Sequence, residues 1–210
     1  MKSQVTGIFP IPVYTTERDS DLDPVEKKEI EDIINKEGMR KNNTNYSSID
    51  TNIFDTKLKN LKEFCEQQIK IFVEEVIRPR EKFDFYITQS WIIVNKPGDS
   101  HESHYHPNSI ISGVFYIKTE ESDNVTFTDP NQKVKHQIRL ESEASNPTPY
   151  YVDGVHFPVS NNLLILFPSW MEHGVSPNPN ATTNRICLSF NTFAKGVFGS
   201  KGLSNELVLQ

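Results

Sequence analysis

Long apolar runs are missing from this 210-residue chain. No stretch approaches the ~20 consecutive apolar residues that a helix needs to span a bilayer, so no membrane partner is expected. The opening MKSQVTGIFPIPVY has one early lysine and a short apolar run, but Pro10 and Pro12 interrupt it. That makes a poor secretory signal, and the expected setting is the cytoplasm. Cysteine is scarce. Cys65 and Cys187 lie far apart in hydrophobic runs, with no CxxC pair. A zinc ribbon or thioredoxin-type centre is thereby excluded, and two buried free thiols are expected. Positive charge is also short, with 22 Lys and Arg against 28 Asp and Glu and a net charge of −6. An acidic surface repels phosphate backbones, which argues against nucleic acid as a partner. The chain has neither internal repeats nor low-complexity tracts.

What is present favours strands. Thirteen Phe and seven Tyr suit a β-rich fold. The length fits one domain over residues 1–210, able to bury a core without disulfides. Its first part, about 1–80, reads as an extended segment and supporting helices. Ile8, Phe9, Ile11 and Val13 predict a strand at a sheet edge, where proline is tolerated. DLDPVEKKEIEDIINKEG predicts a helix with Asp23 as N-cap, Pro24 at the first helical position, Gly38 as stop, and a narrow apolar face of Ile30, Ile33 and Ile34. Residues 39–53, rich in Asn and Ser, predict a loop. Leu58, Leu61, Cys65, Ile69, Phe72 and Val76 recur at three- and four-residue steps, which predicts a helix over about 55–77 on the outer face of a sheet, ended by Pro79.

From about residue 85 to 196 the period becomes two. FYITQSWIIVN, ISGVFYIK, NVTFTD, HQIRLE, YYVDGVHFPV, NLLILFP and RICLSFNTF follow one another with turn residues between them. Many short strands without intervening helices predict a mainly β sandwich or barrel. The jelly roll, or double-stranded β-helix, is the natural form.

Three of the six histidines fall within DSHESHYHPNS: His101, His104 and His106. One residue separates His104 from His106, and on a strand that spacing puts both imidazoles on one face. His173 follows the apolar NLLILFP and precedes a glycine and a turn, so it is placed to enter the same barrel mouth. Two close ligands and one remote ligand describe a facial triad with open positions, the pattern of a catalytic metal rather than a closed structural one. His101, His136 and His156 are expected to be ordinary surface or hydrogen-bonded residues. Arg185 opens the strand RICLSFN beside apolar Ile186, Leu188 and Phe190. A guanidinium entering a core needs an anion, and a bound dicarboxylate would supply one through a bidentate contact. Ser189, four residues on, shares the strand face of Arg185 and can reach the same carboxylate.

These segments resemble the 2-oxoglutarate/Fe(II)-dependent oxygenases, in particular the prolyl-hydroxylase-like branch. The resemblance runs from about Trp91 to Ala194, carried by HYH at 104–106, SGVFYIK, NVTFTDP, NLLILFPSWMEH and RICLSFN in order. SGVFYIK and FPSWMEHGV look most like a small microbial and phage group of such enzymes. The resemblance implies Fe(II) held by His104 and His173, with 2-oxoglutarate anchored by Arg185. Tyr116 would donate to its distal carboxylate, and Asn95 would line the pocket. The usual second ligand is an acid, and His106 stands in that position. A three-His site with His106 as ligand is the leading expectation, and Asp129 or Asp99 is the alternative source of a carboxylate. The implied chemistry consumes O2 and 2-oxoglutarate, releases succinate and CO2, and usually hydroxylates a prime substrate, here a peptide or small molecule. Residues 42–52 and 141–149 are candidate substrate-facing loops. A homodimer stays open. So do two other readings: a cupin-like three-His metalloenzyme that does not use 2-oxoglutarate, and a non-enzymatic jelly-roll binding module.

Overall fold

The computed structural model describes residues 2–132, 148, 150–200 and 202–210. In chain order the strands are β1 (Tyr14–Glu17), β2 (Met39–Lys41), β3 (Tyr46–Ser48), β4 (Asp84–Asn95), β5 (His101–His104), β6 (Ile111–Lys118), β7 (Asn124–Thr128), β8 (Gly154–Pro158), β9 (Leu163–Pro168), β10 (His173–Val175), β11 (Arg185–Phe198) and β12 (Leu207–Leu209). Helix α1 (Pro24–Asp32) precedes β2, and α2 (Lys59–Phe72) precedes β4. The larger sheet runs β1-β9-β6-β11-β4-β3-β2, with β12 joined to the far half of β11. The smaller runs β5-β10-β7-β8. All the named strand pairs are antiparallel. This is the jelly roll expected from the run of short strands.

Alternation along the strands separates two cores. Ile92 on β4, Phe115 on β6, Leu164 and Leu166 on β9, and Leu188 and Phe190 on β11 pack outward against Leu61, Cys65, Ile69 and Phe72 of α2. Ile93, Tyr116, Ile165, Phe167 and Cys187 face the other way and meet Val125 and Phe127 of β7. Strand β9, covered on both faces, is therefore an unbroken apolar run rather than an alternating one. Both cysteines are buried and free. Gly113 on β6 lies opposite Phe190 on β11. A Cβ at Gly113 would fall inside the Phe190 ring. Gly113→Ala is thus expected to cost ~1–3 kcal/mol of stability, seen as a lower urea midpoint with an unchanged slope. A midpoint equal to the parent's would show that Phe190 has room to move.

The α1 cap forms as predicted. Asp23 accepts from the Val25 and Glu26 backbone N–H groups, and Glu26 reciprocates to the Asp23 N–H. After α1 the chain widens into a π turn over Ile33–Glu37 and stops at Gly38, whose φ of 106° suits glycine. Four expectations need correction. The edge strand is β1 at Tyr14–Glu17, bonded to β9, whereas Ile8 and Phe9 are exposed. The β-branched Thr15 and Thr16, free of proline, are what can complete the ladder. Residues 39–53 are not a plain loop, because β2 and β3 form a hairpin that joins the large sheet through β3 and β4. The second helix begins at Lys59, not near 55: Ile53–Asp55 is a short 3-10 turn, and Leu58 has a left-handed backbone at φ 55°. Its last turn widens over Val73–Ile77 and closes on left-handed Arg78. That extra residue per turn rotates Val76 out to solvent and buries Val73 instead. The strand expected at 136–141, His136, and nearly all of 141–149 lie outside the described residues.

Candidate functional site

Strand β10 sits between β5 and β7, and its first residue, His173, lies directly opposite His104. Both imidazoles are oriented in the same way. The His104 Nδ1 is 2.8 Å from the Glu102 carbonyl oxygen. The His173 Nδ1 is 3.0 Å from that of Met171. A carbonyl can only accept, so each Nδ1 carries the proton and each Nε2 keeps its lone pair for a metal. This pattern, with a carbonyl two residues upstream of each histidine, was not read from the sequence.

His106 reaches the site by a different route from the one the HxH spacing suggested. Strand β5 ends at His104, and Tyr105 and His106 have left the sheet. Strand alternation therefore does not put His104 and His106 side by side. The His106 backbone N–H donates to the Ser169 carbonyl at 2.9 Å, which folds the segment back over the turn before β10. The Trp91 ring lies 5.7 Å from the His106 ring. Centroids of the three rings are 5.1 Å apart for His104 and His106, 4.5 Å for His104 and His173, and 5.1 Å for His106 and His173. One ligand atom from each of the three lies within 4.8 Å of the others, so among the described residues this group can hold a metal ion. Asp129 and Asp99 are not in it. The Asp129 carboxylate accepts from the Asn131 N–H. That of Asp99 accepts from the Lys96 N–H, beside a neighbouring hollow.

His101 joins the cluster, against expectation. Its ring stacks on His104 with centroids 4.3 Å apart. His156, as expected, is a surface residue bonded to Thr126 at 2.9 Å. Burial, reinforced by the neighbouring imidazoles, lowers His101 and His106 to about 3 and His173 to about 4. Neutral imidazoles are the metal-binding form, so these rings need shed no proton to bind at neutral pH. The shifts also set a pH dependence. Between pH 6.5 and about 4 the unfolded chain takes up protons at these positions and the fold does not, so stability falls as pH falls. The unfolding temperature of the metal-free protein is expected to drop through that window. His173→Asn should flatten the drop, and an equally steep drop in that variant would contradict the assignment.

A small cavity of about 40 Å³ runs inward from the histidines. Arg185, Cys187 and Ser189 face it from β11, Val114 and Tyr116 from β6, and Trp91, Ile93 and Asn95 from β4. Arg185 is buried and donates to the Asn124 carbonyl at 3.2 Å. Its Nε is buried without a partner, and so is the Asn95 Oδ1. A buried, unpaired guanidinium N–H is costly unless a bound anion meets it, so the residues fit a small carboxylate. The Asn95 side-chain N–H donates to the Ser100 carbonyl at 3.1 Å, fixing that amide at the cavity wall. Burial raises Tyr116 above the usual phenol range and Cys187 above the usual thiol range, so both stay protonated donors. Its hydrophobic surroundings in the sequence mark Cys187 only as a core thiol. The two-residue period from Arg185 to Ser189 was the signal that it lines the cavity.

The sequence of residues 89–191 matches the family model described as "Putative 2OG-Fe(II) oxygenase". No curated protein matches the chain. Among solved structures, the 2-oxoglutarate-dependent carbocyclase SnoK from nogalamycin biosynthesis aligns with a TM-score of 0.61 and 13% identity, over 95% of this chain and 90% of that one. A Pseudomonas putida prolyl-4-hydroxylase aligns with a TM-score of 0.55 and 13% identity, over 86% and 92%. HygX from Streptomyces hygroscopicus, solved with nickel and 2-oxoglutarate, aligns with a TM-score of 0.54 and 7% identity, over 87% and 82%. At these identities the structural likenesses establish the fold. No helix among the described residues is long and apolar enough to cross a membrane. In sequence over residues 89–191, and in fold over most of its length, this chain is similar to the 2-oxoglutarate/Fe(II)-dependent oxygenases.

Proposed function

We propose that the chain is a hydroxylase, acting on a peptide or small molecule, in which His104, His106 and His173 hold Fe(II). Arg185 receives the distal carboxylate of 2-oxoglutarate. Tyr116 and Ser189 donate to that carboxylate, and Asn95 closes the wall beside it. Residues 85–196 act as the oxygenase core, and residues 1–80 brace it. The observation that carries this reading is the buried, unpartnered Nε of Arg185, a residue that lines the same cavity as the three imidazoles. A charged donor at one end and neutral nitrogen ligands at the other suit an acid that bridges them.

Iron(II) bound here would supply, with O2 and the 2-oxo acid, the oxidising power to attack a C–H bond, with release of succinate and CO2. The protein's own part is positional. The Glu102 and Met171 carbonyls set the tautomers of His104 and His173. The guanidinium fixes the direction in which the cosubstrate enters. Apolar Ile93, Val114 and Val125 keep water from the cavity wall. Tyr105 and Trp170 are both exposed, on the segments that carry His106 and its Ser169 anchor. They offer aromatic surface to a prime substrate approaching the imidazoles. A direct test incubates the protein with Fe(II), 2-oxoglutarate and O2 and measures succinate. Succinate should require all four components. Equal release from the His173→Ala protein would sink the proposal.

A further inference from the structure

The inner-face rows of β6 and β11 do not end at the cavity. On β11 the row Arg185, Cys187, Ser189 continues to Asn191. On β6 the row Tyr116, Val114 continues to Ser112. Ser112 and Asn191 are opposite one another in the ladder. Here the chain buries hydroxyls and an amide where a jelly-roll core would take apolar side chains. The Ser112 Oγ lies 2.8 Å from the Ser169 Oγ and 2.9 Å from the Asn191 Oδ1. Ser169 donates in turn to the Ser109 Oγ at 2.7 Å. The same Ser109 Oγ accepts the Thr192 backbone N–H at 3.2 Å, at the β11 bulge. Ser112, Ser169, Asn191 and Thr192 are all buried. None of Ser112, Ser169 and Asn191 has an unpartnered side-chain atom among those found buried without a partner.

Backbone bonds converge on the same point. The Ser169 N–H donates to the Ile110 carbonyl at 3.1 Å, and the Ile110 N–H to the Thr192 carbonyl at 3.0 Å. The Ser169 carbonyl is the acceptor that holds the His106 N–H. His106 lies outside the strands, and its backbone N–H is tied to this cluster through Ser169. A buried polar network of this kind is expensive to break and permits one arrangement. Core leucines in its place would leave the 105–110 segment free to slide.

We propose that Ser112, Ser169 and Asn191 are positioning residues for His106, setting the place and angle at which its ring meets those of His104 and His173. This rests on the reading of the three imidazoles as metal ligands. The test measures affinity and the visible spectrum of cobalt(II) bound to the full chain, by competition with a chelator. Ser169→Ala is expected to weaken cobalt(II) binding by about 10- to 100-fold, the range for loss of an outer partner, and to shift the visible bands. Ser112→Ala should do the same in smaller measure, which covers the case that Ser169→Ala fails to fold. Ser90→Ala removes another buried hydroxyl, one that accepts the Phe54 N–H on the face of β4 opposite to Trp91 and the cavity. It should leave affinity and spectrum unchanged. In a His106→Ala background, the Ser169 substitution should cost nothing more, because the residue it positions has gone. Unchanged cobalt(II) binding in both serine variants, or losses that add to that of His106→Ala, would overturn the proposal. Unchanged binding in His106→Ala alone would overturn the ligand assignment beneath it.

Discussion

Replacing Arg185 with alanine is expected to weaken 2-oxoglutarate binding by about 150- to 5,000-fold while metal affinity stays within a few-fold of the parent. The magnitude follows from removing one partner of a buried charge pair, which costs ~3–5 kcal/mol. Arg185 has the means to make such a pair. It is buried at the start of β11, it lines the cavity, its fork is steadied by the Asn124 carbonyl, and its Nε is buried and unpaired. No imidazole depends on it: His104 and His173 take their orientation from β5 and β10, and His106 from Ser169. Arg185→Lys separates charge from shape. Lysine keeps the cation but not the planar fork, so its loss should fall between parent and alanine. Equal 2-oxoglutarate affinity in the parent and the alanine variant would mean that the guanidinium serves the fold alone. Calorimetric titration into nickel-loaded protein separates the two affinities.

The second large effect is expected at His173. His173→Ala should lower affinity for Fe(II), Ni(II) or Co(II) by more than about 100-fold, since losing an outer partner alone costs about 10- to 100-fold. His173 is the buried member of the three, packed 4.6 Å from the Phe167 ring. Alanine also leaves a void there, so the unfolding midpoint should be measured beside the metal affinity. Stability that falls while metal affinity holds would reassign His173 to the core. Loss of affinity in a protein that still unfolds cooperatively is the expected outcome.

Much of this site was legible in the sequence because its parts obey short periods. Arg185, Ser189 and the apolar residues between them alternate, so the buried guanidinium could be read from RICLSFN before any strand was seen. The α1 cap needed only Asp23, Pro24 and Glu26. What sequence spacing did not carry depends on partners distant in the chain. The β2–β3 hairpin has polar strands of three residues and gains its place from β4, some 45 residues away. Tyr14–Glu17 becomes the edge strand because β9 offers it a ladder, not because it is the most apolar stretch. His106 is the instructive case. The HxH spacing suggested the right neighbours for a strand-based reason that does not hold, since the residue is brought in by Ser169 from beyond β9. His101 carried no separate signal, because a histidine that stacks on a ligand and one that faces solvent look alike in one sequence.

The central claim is that the imidazole cluster and the guanidinium serve one bound pair, a metal and an acid. Anaerobic titration of the full chain with Fe(II) and then 2-oxoglutarate tests it most directly, followed as visible absorption. The account predicts a charge-transfer band that saturates at one equivalent of each and is missing from both His173→Ala and Arg185→Ala. Iron bound to the parent protein with no such band on adding the acid would contradict it.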